Sequence, residues 1–399
     1  MRSVYRWWGV GMMFLWLAAV PLCSQERPAK LPHVAPESLG MSSARLANID
    51  GIVSDGLKRE EMCGCVVLVG RREGIVFEKA YGDRQVLPER EAMTLDTVFD
   101  LASLTKPIAT GTSLMTLVEE GKVRIEDPVV KYLPEFAVNG KEEVTILQLL
   151  THQAGLIPDT EIGEYQNGSE EAIRKALETK PEHPPGTKFV YSDVGPIILA
   201  ELIRRVTGET IDVYAKRKIY EPLGMLETGY NPGPELRKRG VTTEQREGRW
   251  MKGEVHDPRA YLMKGVAGHA GLFSTGEDLA VYASMMLGGG EYQGVRILQP
   301  ETVELMTTPV VTSEGLRSLS WDSRSSYSSN RGDLCSARAF GHGGFTGTVI
   351  WIDPELDLFY IFLSSRLHPD GKGTVNPLAG RIGTVAAAAI CETPSGHTP

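Results

Sequence analysis

The sequence predicts an α+β fold: an antiparallel β-sheet assembled from both ends of the chain, flanked by helices, with a mostly helical inserted subdomain between them. Two strand pairs and the stretch that separates them carry this expectation. Near the start, Val66 to Val69, a turn from Gly70 to Gly74, and Ile75 to Phe77 followed by Ala80-Tyr81 read as a hairpin. Near the end, Thr348 to Ile352, the turn Asp353-Pro354-Glu355 and Leu358 to Leu363 read as a second hairpin. From about residue 102 to 287, helical periods and Gly/Pro-rich loops dominate, as in Ile108 to Glu120, Val194 to Val206 and Leu279 to Leu287.

The remaining elements follow in order. Met41 to Leu57 places Leu46, Ile49, Ile52 and Val53 on one helical face, with Ser42 or Ser43 positioned as a cap. Ser318 to Asp333, rich in Ser, Asn and Gly, reads as a long surface loop. A last helix, Gly380 to Cys391, is expected to return over the sheet. No internal repeat interrupts the chain, and 25–399 reads as a single domain with the helical insertion at roughly 102–287.

Composition narrows the function. With 42% hydrophobic and 23% charged residues, a chain of 399 residues has ample material for a large core. Its 42 Lys+Arg against 51 Asp+Glu give a formal charge of -9, and there is no basic run to follow a phosphate backbone, which excludes nucleic acid as a partner. The basic start Met1 to Arg6 and the short apolar stretch Trp7 to Leu22 read as a secretory signal peptide over 1–24, cleaved after Ser24, so a periplasmic or extracellular location is expected. Cys23 raises the rival reading of a lipid anchor and membrane tether, although Leu22 is a poor fit to the small residue expected before a lipidated cysteine. Cys63-Gly64-Cys65 has no His or Cys partner at metal-site spacing and reads as small residues entering a strand.

Three short motifs carry the chemistry. Ser103-Leu-Thr-Lys106 puts a hydroxyl and an ammonium three residues apart, on one helix face. Pro107 requires that the helix begin close by, which sets Ser103 at its positive end, where an oxyanion and a lowered nucleophile pKa are favoured. Taken alone, the same residues also fit a helix cap with an exposed lysine. Tyr191-Ser192-Asp193, just ahead of an apolar helix, offers a base: a tyrosinate beside Lys106 can take the Ser103 proton and return it to the leaving group. Tyr165-Gln-Asn167 and Tyr81-Gly-Asp83 resemble this motif but lie in a turn and at a hairpin end. Gly341-His342-Gly343-Gly344-Phe345-Thr346-Gly347 enters the second hairpin; its glycines let backbone approach a ligand, a free N–H there can complete an oxyanion hole, and His342 is placed to donate to substrate or orient Tyr191. His152 reads as a structural hydrogen-bonding histidine. His256, Asp257 and His269 are candidates to converge near the pocket or hold a metal, though their spacing is no ligand signature.

Taken together and in this order, the motifs identify the chain as resembling the class C β-lactamase-like and penicillin-binding-protein serine hydrolases, for which S-x-x-K is a mark. The resemblance runs from about Pro36 to Cys391 and includes Leu101 to Pro107, Leu149-Leu-Thr-His-Gln-Ala-Gly-Leu156, Pro185 to Asp193, Pro222-Leu-Gly-Met225 and Gly268-His-Ala-Gly-Leu-Phe-Ser274. It is most similar to the D-alanyl-D-alanine carboxypeptidase-like branch, which carries segments similar to Glu254-Val-His-Asp257 and Gly268 to Gly271. The resemblance implies a β-lactamase/transpeptidase-like fold and no cofactor or metal. It also implies Ser103 as nucleophile, Lys106 and Tyr191 as proton-transfer partners, His342-Gly343-Gly344 as the third motif and the Phe345 N–H as an oxyanion donor.

Two departures bear on substrate. Asp193 stands where the family has Asn; a carboxylate can only accept, and would hold Lys106 as an ammonium. His342-Gly343 replaces Lys-Thr, removing a fixed cation for a terminal carboxylate, with Arg366 as a candidate substitute. The expected reaction is acyl transfer on an amide or ester carbonyl of a small molecule or peptide. The leading candidate is a D,D-carboxypeptidase acting on peptidoglycan stem peptides. A carboxylesterase or weak β-lactamase, and a non-catalytic penicillin- or peptide-binding protein, stay open.

Overall fold

The computed structural model describes residues 27–391 together with Val4; Cys23 and the rest of the expected leader lie outside the described residues. Strands β1 (Gly64–Arg71), β2 (Gly74–Gln85) and β3 (Glu91–Ala92) come from the first part of the chain. The last part adds β4 (Val310–Thr312), β5 (Gly315–Arg317), β6 (Asp322–Ser325), β7 (Phe340–Gly344), β8 (Thr348–Asp353) and β9 (Leu358–Ser364). They form one nine-stranded antiparallel sheet in the order β4-β5-β6-β7-β8-β9-β1-β2-β3, so the two ends of the chain meet where β9 pairs with β1, Val67 opposite Phe362. The fold is α+β, as the sequence predicts.

The central strands are apolar on both faces because both faces are covered. Cys65, Val67 and Val69 of β1 join one core with α1 (Asn48–Lys58), while Val66 and Leu68 join a larger one. This is the two-residue period of a strand shared between two layers. In the larger core, α2 (Thr112–Glu119), α3 (Val194–Thr207) and α4 (Gly276–Leu287) contribute buried residues. The final helix, α5 (Asn376–Ala388), lies with α1 in the smaller core. Residues between β3 and β4 add no strand to the main sheet. They are helical with small sheets interspersed, including Phe99–Asp100, Leu272–Ser274 and Gly229–Tyr230 paired side by side.

The stretch Ser318 to Asp333 is not a surface loop. It holds β6, and Trp321 and Asn330 within it are buried. Several of its polar side chains bond internally: the Ser325 and Ser328 hydroxyls each donate to Asp322 at 2.7 Å, and Asn330 Oδ1 accepts from the Trp351 indole at 3.0 Å. Composition does not separate such a segment from a solvated one.

Lys141 is wholly buried, and its ammonium donates to the carbonyls of Leu177 and Thr179 at 2.5 and 2.7 Å, at the C-terminal end of the helix Ser169–Glu178. Lys141→Met is expected to destabilise the protein by about 2–4 kcal/mol in urea unfolding, since each orphaned buried acceptor costs roughly 1–3 kcal/mol. Burial lowers the Lys141 pKa to about 8. Between there and about 10.4, the reference value for lysine, the unfolded chain therefore binds more protons at this residue than the folded chain. Its contribution to stability rises with pH across that window, and the difference between wild type and Lys141→Met should show the rise.

Candidate active site

The site is built on a strained turn. Asp100, buried, accepts the N–H of Ala102 at 2.9 Å and that of His256 at 2.6 Å, and Ala102 has φ +45°, in the left-handed region that a non-glycine residue adopts only when held there. Residues 102–104 form a tight helical turn, and the chain widens over Lys106–Gly111 before entering α2. The end of β7 docks on this turn. Thr346 and Thr348 donate to the Asp100 and Leu101 carbonyls at 2.7 and 3.1 Å. A Cβ at Gly344 would stand 2.4 Å from the Leu101 oxygen, so the close approach admits only glycine. This contact carries Phe345 to the mouth of the cleft, where it is 62% exposed.

Lys106 is 1% exposed and its ammonium is the hub. It donates to Ser103 Oγ at 2.9 Å and to the His269 carbonyl at 3.2 Å. It also lies 2.6 Å from Asp193 Oδ1 and 5.0 Å from the centre of the Tyr191 ring. The Asp193 contact is an ionic one, since that oxygen has no aligned hydrogen-bond donor. Burial opposes the charge, but Asp193 and Tyr191 outweigh it and raise the lysine pKa above its ordinary value. The site therefore favours the charged form of Lys106. Asp193 occupies the N-cap position of α3 without capping it; the Ser192 hydroxyl accepts the Val194 N–H instead, which leaves the carboxylate for the lysine.

Tyr191 is held by stacking. Its ring lies between His152, 4.6 Å away, and Tyr327, 4.9 Å away, both nearly parallel. His152 has the structural role expected of it: its Nδ1 accepts the Ser192 N–H at 3.2 Å. The decoys are engaged elsewhere, Tyr81 donating to Asp50 at 2.7 Å and Tyr165 accepting from Thr160 at 3.1 Å.

His342 corrects an expectation. Its Nδ1 lies 2.8 Å from the Gly343 carbonyl, which makes that nitrogen the protonated one and leaves Nε2 an acceptor without a partner among the described residues. Burial, with Arg317 and Lys106 nearby, pushes its pKa far below the usual range, so the ring is neutral. It stands 6.0 Å from the Tyr191 ring and neither bonds to it nor offers a proton at Nε2. Arg366 is also corrected. It donates to the Phe345 carbonyl at 2.6 Å and to that of Gly373 at 3.2 Å, so it braces the rim.

The cation that does line the cleft is Arg317, which the sequence reading missed. The cleft holds about 210 Å³ and brings Arg317, Asn330, His342 and Asn376 together with Ser103 and Tyr191. Arg317 is 1% exposed, its Nη1 is 3.4 Å from Asp322, and its Nε and Nη2 have no hydrogen-bond partner among the described residues. No motif surrounds it in the sequence; its place comes from the pairing of β5 with β6.

Asp193, Asp257 and His269 do converge, with donor atoms within 4.8 Å of one another. Lys106 already brings a cation to Asp193, and His269 lies 3.0 Å from Asp257, so this is an ion-pair network.

A family model described as Beta-lactamase matches residues 49–383. The chain belongs to the β-lactamase family. It is 33% identical over 397 residues, covering 90% of this chain and 91% of the other, to an Escherichia coli (strain K12) protein named "Putative D-alanyl-D-alanine carboxypeptidase". It is 32% identical over 369 residues, covering 83% of each, to one from Bacillus subtilis (strain 168) named N-acetylmuramyl-L-alanine amidase. Among solved structures, a penicillin-binding protein homolog from Caulobacter crescentus superposes with a TM-score of 0.72 at 21% identity, over 88% of this chain and 99% of that one. This β-lactamase-family chain is a serine hydrolase.

Proposed function

We propose that this chain is an exported acyl-enzyme amidohydrolase that removes the terminal residue of peptidoglycan stem peptides, in the manner of a D-alanyl-D-alanine carboxypeptidase. Arg317 carries the reading: a buried guanidinium with two unpartnered N–H donors, in the same cleft as Ser103, matches a peptide's terminal carboxylate. The names of both relatives, which refer to amide bonds of peptidoglycan, support it.

The steps follow from the charges. Tyr191, its ring centre 5.0 Å from the Lys106 ammonium and 5.8 Å from the Arg317 guanidinium, stands beside both cations and is the group placed to act as base. Its phenolate takes the Ser103 proton as Oγ attacks the carbonyl, and the backbone N–H groups of Ser103 and Phe345 receive the oxyanion. Tyr191 then protonates the departing amine, and water resolves the acyl-enzyme by the same path reversed.

The test compares N-acylated Lys-D-Ala-D-Ala with its C-terminal amide, following release of the last residue. The free acid is expected to be cleaved and the amide to react far more slowly. Arg317→Leu should lower kcat/KM on the acid by about 10²-fold, within the roughly 2–5 kcal/mol lost when one partner of a buried charge pair is removed. Hydrolysis of a small aryl ester should change little. Equal rates on acid and amide would overturn the carboxylate reading, and ester turnover without cleavage of either peptide would point to an esterase.

A further inference from the structure

Two residues unused in those steps sit against their charged groups. His269 is 1% exposed; its Nε2 lies 3.0 Å from Asp257 Oδ1, and its carbonyl accepts from Lys106 at 3.2 Å. The same Asp257 oxygen accepts the Ala260 N–H at 2.7 Å as cap of the helix Pro258–Leu262, which fixes the carboxylate in place. Asp193 and Asp257 thus bring two carboxylates within 4.8 Å of each other, and Lys106 pairs with the first of them. If His269 were neutral, the group would carry a net negative charge beside Ser103, opposing both the tyrosinate and the oxyanion, and Lys106 would be drawn between the two acids. An imidazolium at His269 makes the group neutral.

We propose that His269 and Asp257 form a positioning pair, a buried imidazolium–carboxylate couple that occupies the second acid and so keeps Lys106 on Ser103 and Asp193. The groups facing His269 are Asp257, Asp193, Lys106 and Asp159, and Asp100 faces Asp257. Burial and Lys106 oppose the imidazolium, but Asp257 and Asp193 prevail and its pKa is raised, while that of Asp257 is lowered. The pair touches no reacting atom, and the inference rests on the reading of Ser103 as the nucleophile.

The experiment measures kcat/KM for a small aryl ester, and the rate of fluorophosphonate labelling at Ser103, from about pH 5 to 10 in wild type, His269→Gln and Asp257→Asn. Wild type is expected to lose activity at alkaline pH as the imidazolium loses its proton. His269→Gln should be slower by about 10²-fold and lack that limb. Asp257→Asn keeps an oxygen for the Ala260 N–H and should move the limb to lower pH, because the imidazolium has lost its anion. The double variant should be no slower than His269→Gln, as expected for groups acting as one unit. A merely structural pair would lower Tm and leave the limb where it was. An unmoved limb in folded His269→Gln, or in Asp257→Asn if the first variant does not fold, overturns the proposal alone. A wild-type protein unlabelled at Ser103 overturns the nucleophile assignment with it.

Discussion

Ser103→Ala should yield a folded protein that forms no covalent adduct with a fluorophosphonate or benzylpenicillin and whose turnover falls by at least about 10⁴-fold, as when the nucleophile of a triad is removed. The fold should survive because the other partners of Lys106, the Asp193 carboxylate at 2.6 Å and the His269 carbonyl at 3.2 Å, remain. Intact mass of wild type and variant after exposure to each reagent checks this. An adduct on wild type alone assigns the nucleophile, and one that persists in the variant refutes the assignment. A penicilloyl adduct would further show that the cleft accepts a mimic of D-Ala-D-Ala, whereas labelling by the fluorophosphonate only would mean that Asp193 and His342 exclude it.

The second large effect is expected at Tyr191. Phenylalanine there keeps the stack on His152 and Tyr327 and removes only the hydroxyl, so structure and substrate binding should hold while kcat falls by about 10²–10⁴-fold, the usual worth of a positioned general base. Lys106 is poorly suited to replace it, because burial is outweighed by Asp193 and Tyr191, which favour its charged form. Steady-state kinetics on an aryl ester, with circular dichroism to verify the fold, decide the matter. A Tyr191→Phe enzyme within about tenfold of wild type would pass the base role to another group.

The two hairpins, 66–77 and 348–363, were legible because apolar runs bounded by turn residues leave few alternatives, and their meeting at β1 and β9 follows from burying both. Pro107 likewise located the start of the helix that follows Ser103. The segment 318–333 was not legible, because its serines and asparagines bond to partners inside the protein as readily as to water. Arg317 shared that fate, standing at the end of β5 with no motif around it. Arg366, only a candidate for carboxylate recognition in the sequence, is found on the carbonyls of Phe345 and Gly373 for a related reason, since no spacing announces such a contact.

The sequence by itself determined the α+β class and the approach of Lys106 to Ser103, since periodicity and short motifs act through neighbours on one helix or strand, while the order of its motifs gave the family resemblance, which implied that Tyr191 joins them. Tertiary structure alone decided the neutral state of His342, the clamp on Tyr191 and the place of Arg317 in the cleft. Each of these depends on which distant groups share a buried space, where low dielectric makes one neighbouring charge outweigh the residue's own intrinsic chemistry.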